Sequence, residues 1–336
     1  MTAADLRDLD RVPVDLPPVD CVLLVGFGGP EGPADVLPFL ENVTRGRGVP
    51  RERLEVVAQH YLEVFGGVSP INAQTRALQE SLQEQLPELT VYWGNRNWYP
   101  YLADTAQQLV ADGRRHALAV MTSAFPSYPG CRQYREDVAL AMPEGGPAVS
   151  KLRHFYAEPG FLDTMRRNVA GAAGGMVAPR LVFTAHSLPV SLADSSGPQG
   201  GAYVATLRSA AAAIAGDRPW DLVFQSRSGP PNQPWLEPDV NDHLRTLTGE
   251  VVLVPVGFVS DHVEVVYDLD HQAAATAEEC GLTMTRAATV GTDPEFVAML
   301  AGLVRERISG PELEGHGAEA TYDRCPASCC PAPRRS

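Results

Sequence analysis

The chain has 336 residues, with 27 Lys and Arg against 41 Asp and Glu, and a formal charge of −14. Apolar residues make up 44% and charged residues 20%, the composition of an ordinary soluble globular protein with length enough for two domains. The acidic balance argues against a general nucleic-acid or anionic-membrane binder, because phosphate groups demand surplus Lys and Arg.

The opening segment, 1–20, mixes acids with Arg7, Arg11 and prolines and has no apolar run of the signal-peptide kind, so a flexible N-terminus and a cytoplasmic location are expected. The longest apolar runs, such as 251–259, fall far below the ~20 residues of a membrane span, and no integral membrane association is expected. From residue 21 onward short apolar runs alternate with amphipathic stretches. Strands are predicted at 21–26, 90–94, 117–123, 180–185, 221–226 and 250–257. Helical patterns fall near 33–43, 51–64, 71–86, 101–112, 133–142, 160–172, 200–215, 235–247, 262–280 and 293–308. This alternation indicates α/β architecture with parallel sheets and crossover helices. The spacing fits two similar halves, 21–172 and 173–309, joined at the Gly/Ala/Pro-rich stretch 171–179 and followed by a tail, 310–336.

Ligands of open α/β sheets bind beyond the C-terminal ends of strands, and the unusual residues collect there. Gly26-Phe27-Gly28-Gly29-Pro30 follows the first strand, but Glu31 stands where a dinucleotide fingerprint needs its third glycine, so a tight turn is the better reading. Ser187 follows His186 directly, without the turn of a hydrolase nucleophile elbow. His262-Val263-Glu264 offers H-x-E, yet no P-C-x-x-C follows at a deaminase distance.

After the sixth strand, Asp261, Glu264, Asp268 and His271 stand 3, 4 and 3 residues apart. On a regular α-helix that spacing makes one stripe, with Val263, Val266 and Leu269 opposite. Oxygen donors with an imidazole suit a divalent ion of intermediate hardness such as Fe²⁺, while a solvated acidic face is the plain alternative. His186, ending the fourth strand, is either a hydrogen-bonded structural residue or, if the halves face each other, the partner of Glu264 as ligand and base. Arg45 and Arg47 put two guanidiniums on a glycine loop suited to gripping carboxylates. Ser69 and Pro70 mark a helix start.

Cys325, Cys329 and Cys330 crowd the tail, which by composition should be disordered alone. They are incidental or redox-active thiols, or three ligands of a metal site whose best fourth candidate is Cys131; Cys21 and Cys280 read as bystanders.

The segments 24–30 (LVGFGGP), 39–48 (FLENVTRGRG), 65–72 (FGGVSPIN), 184–189 (TAHSLP), 225–231 (QSRSGPP) and 255–270 (PVGFVSDHVEVVYDLD) resemble the ferrochelatase family in its actinobacterial type, over nearly all of 21–308. The resemblance implies two Rossmann-like halves of the type II chelatase kind around a porphyrin cleft. It implies Fe²⁺ insertion into coproporphyrin III, giving coprohaem in haem biosynthesis. His186 and Glu264 become the catalytic pair, and His186, Glu264 and Asp268 the metal contacts. Insertion then combines distortion of the macrocycle, loss of its pyrrole protons and delivery of the metal. Ser69 and Tyr134 match porphyrin-contact positions of the family, with Phe27 in the glycine loop and Arg45 and Arg47 as candidates for the propionates. Phe27 replaces a Tyr that ligates product iron in related enzymes, so axial ligation must differ here. The resemblance also implies a [2Fe–2S] cluster on Cys131, Cys325, Cys329 and Cys330, and transient contact with neighbouring enzymes of the haem pathway. Protoporphyrin IX as substrate, a cobalt chelatase of the same fold and a non-catalytic metal or tetrapyrrole carrier are the rival readings.

Overall fold

The structure, a computed structural model, describes residues 16–46, 48–229, 232–310, 323, 325–326 and 328–333. In the first half β1 (Cys21–Gly26) leads through α1 (Val36–Val43), α2 (Arg51–Phe65) and α3 (Pro70–Gln85) to β2 (Thr90–Asn95). There follow α4 (Leu102–Ala111), β3 (His116–Met121), a π-helical turn Tyr128–Arg132, α5 (Gln133–Ala141), β4 (Ala148–Lys151) and α6 (Pro159–Ala172). The second half runs β5 (Arg180–His186), α7 (Val190–Asp194), α8 (Ala202–Ala215), β6 (Trp220–Gln225), α9 (Val240–Leu244) and β7 (Glu250–Val254). It closes with α10 (Val263–Val265), a π-helix Val266–Ala273, α11 (Ala274–Glu279), β8 (Thr283–Arg286) and α12 (Pro294–Ser309).

Each half holds a four-stranded sheet, ordered β2-β1-β3-β4 and β6-β5-β7-β8, and every strand pair is parallel. The central strands are continuous apolar runs because helices cover both faces. β1 is wholly buried along its length, and so is β3. One face of each sheet contributes to a shared core: Val22, Leu24, Leu118 and Val120 belong to it together with Leu181, Phe183, Val252 and Val254. Between them pack Leu82, Phe161, Leu207 and Phe296 from α3, α6, α8 and α12. The outer faces are covered by α4 and α5 on the first sheet, and by α9, the π-helix and α11 on the second.

Two strands beyond the six expected, β4 and β8, complete the sheets. Both are four-residue edge strands with polar residues interleaved (AVSK and TMTR), so neither shows the buried apolar run that marks their neighbours. Among the described residues no helix is long and apolar enough to cross a membrane.

Candidate active site

His186 is the last residue of β5, and its side chain is 29% accessible. The segment after β7 is laid across the end of the same strand. Gly257 donates its N–H to Thr184 O at 3.1 Å, and a Cβ there would stand 2.6 Å from that of Ala185. Only glycine allows that approach, and it delivers the following turn beside His186. His262 then caps α10 through Nδ1, which accepts from Glu264 N at 3.2 Å. Glu264, in the first turn, brings Oε1 to 3.6 Å from His186 Nε2.

The other ring nitrogen settles the tautomer. His186 Nδ1 lies 2.5 Å from Ser187 O, a carbonyl that can only accept, so Nδ1 carries a proton in either charge state and Nε2, which faces the Glu264 carboxylate, is the nitrogen that gains or loses the second one. Burial pulls the His186 pKa down, but the Glu264 carboxylate more than compensates and leaves it raised. Burial acts to raise Glu264, yet the facing His186 holds it down at about 2, so it is ionised. Asp268 is pushed up to about 7, chiefly by burial and also by Glu264, against the hydrogen bond from Ser226. Two neighbouring carboxyls therefore differ, one fixed as the anion and one able to exchange a proton near neutrality.

The four-residue stripe is corrected by the structure. From Val266 the helix widens to i→i+5 bonding, and the arc computed for a regular α-helix no longer holds. Glu264 and Asp268 remain together. Asp261 lies before the helix and pairs with Arg286 at 3.0 Å, a guanidinium it shares with Asp270. His271 turns toward Tyr267, which stacks on His60 of α2 at 4.2 Å.

Several residues to which the sequence assigned no role surround this group. Ser226, at φ 60° one of two non-glycine residues with positive φ among those described, donates its hydroxyl to Asp268 Oδ2. Gln225 Nε2 donates to Glu264 O at 2.6 Å. Gln74 of α3 and Asp261 exchange two hydrogen bonds, 2.9 and 2.8 Å, across the halves. Tyr61 of α2 is raised by burial and by the Glu264 carboxylate. The signal for Ser226 and Gln225 was their place at the end of β6; for Tyr61 and Gln74 the sequence carries none.

The expected porphyrin contacts divide. Phe27 and Tyr134 both lie against Arg96, whose guanidinium is 5.8 Å from one ring and 4.4 Å from the other and pairs with Asp137. Phe27 also packs in an aromatic group with Phe39, Tyr61 and Trp98. Ser69 is buried and spends its hydroxyl on the cap of α3, accepting from Ile71 N at 3.5 Å. Arg45 is exposed in the loop after α1, and Arg47 lies outside the described residues.

The cysteines form a second centre. Cys131, in the turn before α5, is buried and hydrogen-bonds to Cys325. Cys325 is drawn well down by hydrogen bonds from Cys131 and Cys329. Cys329 Sγ lies 3.8 Å from Cys330 Sγ, and Gly197 N donates to Cys330 Sγ at 3.1 Å. Three tail cysteines thus reach one buried spot between the halves, while Cys21 and Cys280 lie elsewhere. Among the described residues no group of three or more His, Cys, Asp or Glu is placed to hold a single metal ion.

A ferrochelatase family profile matches residues 19–308. The chain is 50% identical to the coproporphyrin III ferrochelatase of Streptomyces coelicolor, over 95% of each. It is 51% identical to that of Frankia alni, over 95% of this chain and 88% of the relative. The ferrochelatase of Rhodopirellula baltica is 48% identical over 94% of each. Among solved structures, SirB from Bacillus subtilis is similar with a TM-score of 0.54 at 11% identity, over 87% of this chain and 96% of SirB. CbiX is similar at 0.51 and 17%, over 85% and 98%. At such identities these two speak for the doubly wound fold alone. The profile runs from just before β1 almost to the end of α12, and half the residues are shared with relatives of matching length; the chain belongs to the ferrochelatase family.

Proposed function

We propose that this protein inserts Fe²⁺ into coproporphyrin III to give Fe-coproporphyrin III. The observation that carries the reading is the His186–Glu264 pair, with the exchangeable nitrogen Nε2 and an ionised carboxylate 3.6 Å apart, in a chain of this family. Insertion releases two protons for each Fe²⁺ that enters, so the site needs a proton acceptor and a route outward. His186 Nε2 accepts from the pyrrole N–H side. Glu264, held ionised, balances the imidazolium and contacts the incoming metal. Asp268, near neutrality in its affinity for a proton, passes protons onward. Phe27 and Tyr61, half-buried and backed by the buried Phe39 and Trp98, offer an apolar wall for a macrocycle. Coproporphyrin III is preferred over protoporphyrin IX because relatives about 50% identical over nearly the whole chain carry that name. Its propionates would meet Arg45 and Arg47, the local cations of an acidic chain.

For the cysteine centre, the donor set is the test: the sulfurs of Cys131, Cys325, Cys329 and Cys330 lie together in a buried place, and four thiolates are the donors a [2Fe–2S] cluster takes. Cys131, Cys325, Cys329 and Cys330 would hold it, and it would supply one-electron redox chemistry. Iron insertion as drawn uses none. Purified protein should show visible charge-transfer absorbance and about two irons per chain; colourless, zinc-loaded protein would contradict this assignment.

An anaerobic assay presenting Fe²⁺ with coproporphyrin III and protoporphyrin IX side by side tests the function. Metallation of the first above the uncatalysed rate, abolished in a folded His186→Ala variant, is expected. Binding of either porphyrin without turnover would show a carrier instead, and preference for the second would move the substrate.

A further inference from the structure

The two centres are joined by a short chain of hydrogen bonds. Cys330, buried and held at φ 49°, accepts from Gly197 N at 3.1 Å. The adjoining Ser196 is fully buried; its Oγ donates to Ala193 O and accepts from Tyr203 N at 2.7 Å. Tyr203, in the first turn of α8 and 6% exposed, reaches back and donates its hydroxyl to His186 O at 2.9 Å. Burial and the Glu264 carboxylate raise the Tyr203 phenol, which keeps it a donor.

That bond matters because of what the His186–Ser187 peptide does. Its N–H side is fixed by Gln225 O at 2.8 Å, and its C=O side by Tyr203. The next carbonyl, Ser187 O, is the group that holds His186 Nδ1–H and so aims Nε2. A peptide pinned from both sides leaves the ring one orientation; released on one side, it can rock and break the Nδ1 bond. At the other end, Cys330 belongs to a tail that carries no secondary structure of its own among the described residues, so its hold on Gly197 depends on what fastens the four thiols.

We propose that Tyr203 is a positioning residue for His186, and that through Ser196, Gly197 and Cys330 it ties the set of the catalytic imidazole to the state of the four-cysteine centre. The inference rests on the reading of His186 as the proton acceptor in iron insertion. It assigns the cysteine centre a mechanical part in a reaction that needs no electron from it.

The test uses the full chain with Tyr203→Phe, which removes one oxygen from a buried ring. The kcat for Fe²⁺ insertion should fall on the order of tenfold, the effect of one lost hydrogen bond, while KM for coproporphyrin III stays within about twofold. In ¹⁵N-labelled protein at fixed pH, the single Nδ1–H tautomer of His186 should give way to a mixture, while the visible absorbance of the cysteine centre is unchanged. Cys330→Ser should produce the same imidazole change in the wild type and nothing further in Tyr203→Phe. If Cys330→Ser does not fold, reductive removal of iron with bipyridyl from each folded protein serves the same comparison. An unchanged His186 tautomer in Tyr203→Phe, or an equal response to Cys330→Ser or iron removal in both backgrounds, would overturn the proposal. A wild type that fails to metallate coproporphyrin III would sink the functional reading, while the resonance comparison still decides this one.

Discussion

Glu264 is 48% accessible and yet ionised far into acid, because His186 faces it and His262 lies close by. Replacing it by Gln keeps the shape and removes the charge that balances a protonated imidazole. Glu264→Gln should therefore lower kcat by roughly 10²–10³-fold with porphyrin KM little changed. Steady-state metallation of coproporphyrin III measures it, and an unchanged kcat would remove Glu264 from the mechanism. His186, Glu264 and Asp268 were singled out in the sequence, His186 because it ends a strand and the two carboxyls because they follow the last apolar strand at helical spacing. Tyr203 and Gln74 were not, because each acts on a backbone group that only the fold brings near.

At the scale of elements, what hydrophobic periodicity records is a buried face, and it records nothing else. It located every long helix and the six strands with apolar runs. It passed over β4 and β8, whose pairing is made by backbone, and over α7, a single short turn of helix. It misjudged the segment after α10, where i→i+5 bonding re-aims side chains without altering the residue types. Polar pairing between elements was equally hidden. Asp221 on β6 accepts from Arg180 on β5 and from His243 on α9. The Arg180 hydrogen bonds hold its pKa below the usual value, outweighing burial, with His243 adding to the effect. A depressed carboxyl stabilises the fold above its unfolded pKa near 4, and the contribution is lost as pH falls through the folded value. Urea unfolding between pH 7 and pH 3 should show that loss in the wild type and a flatter profile in Asp221→Asn. Equal pH dependence in the two would assign acid lability to other groups.

For the molecule as a whole, two halves with the same strand order share one core, and aromatic side chains knit it. Phe161 of α6 is fully buried and meets Phe125, Phe155 and Phe296, the last on α12. Phe161→Ala should cost about 3–5 kcal/mol, read by chemical denaturation as one cooperative transition. Two separated transitions would mean that the halves unfold independently. The two-sheet plan was legible in the alternation of strands and helices, but the common core was not, since periodicity says that a face is buried and not what buries it. Cys131 hydrogen-bonds to Cys325, and Cys325, Cys329 and Cys330 are buried together, an arrangement to which the sequence contributed only the crowding of three cysteines in the tail.

α12 packs against α3 and α6, and Arg305 near its end pairs with Glu88 just beyond α3. The first sheet therefore waits for partners more than 200 residues downstream in the chain, since Arg305 follows Glu88 by 217 positions. On the ribosome the N-terminal half is made before α12, so the part of α3 and α6 that α12 covers has no partner until the last helix emerges. Only then do the last cysteines arrive beside Cys131. Maturation is consequently ordered in time: the strands and helices of the core are all made before Cys325, Cys329 and Cys330 can join Cys131.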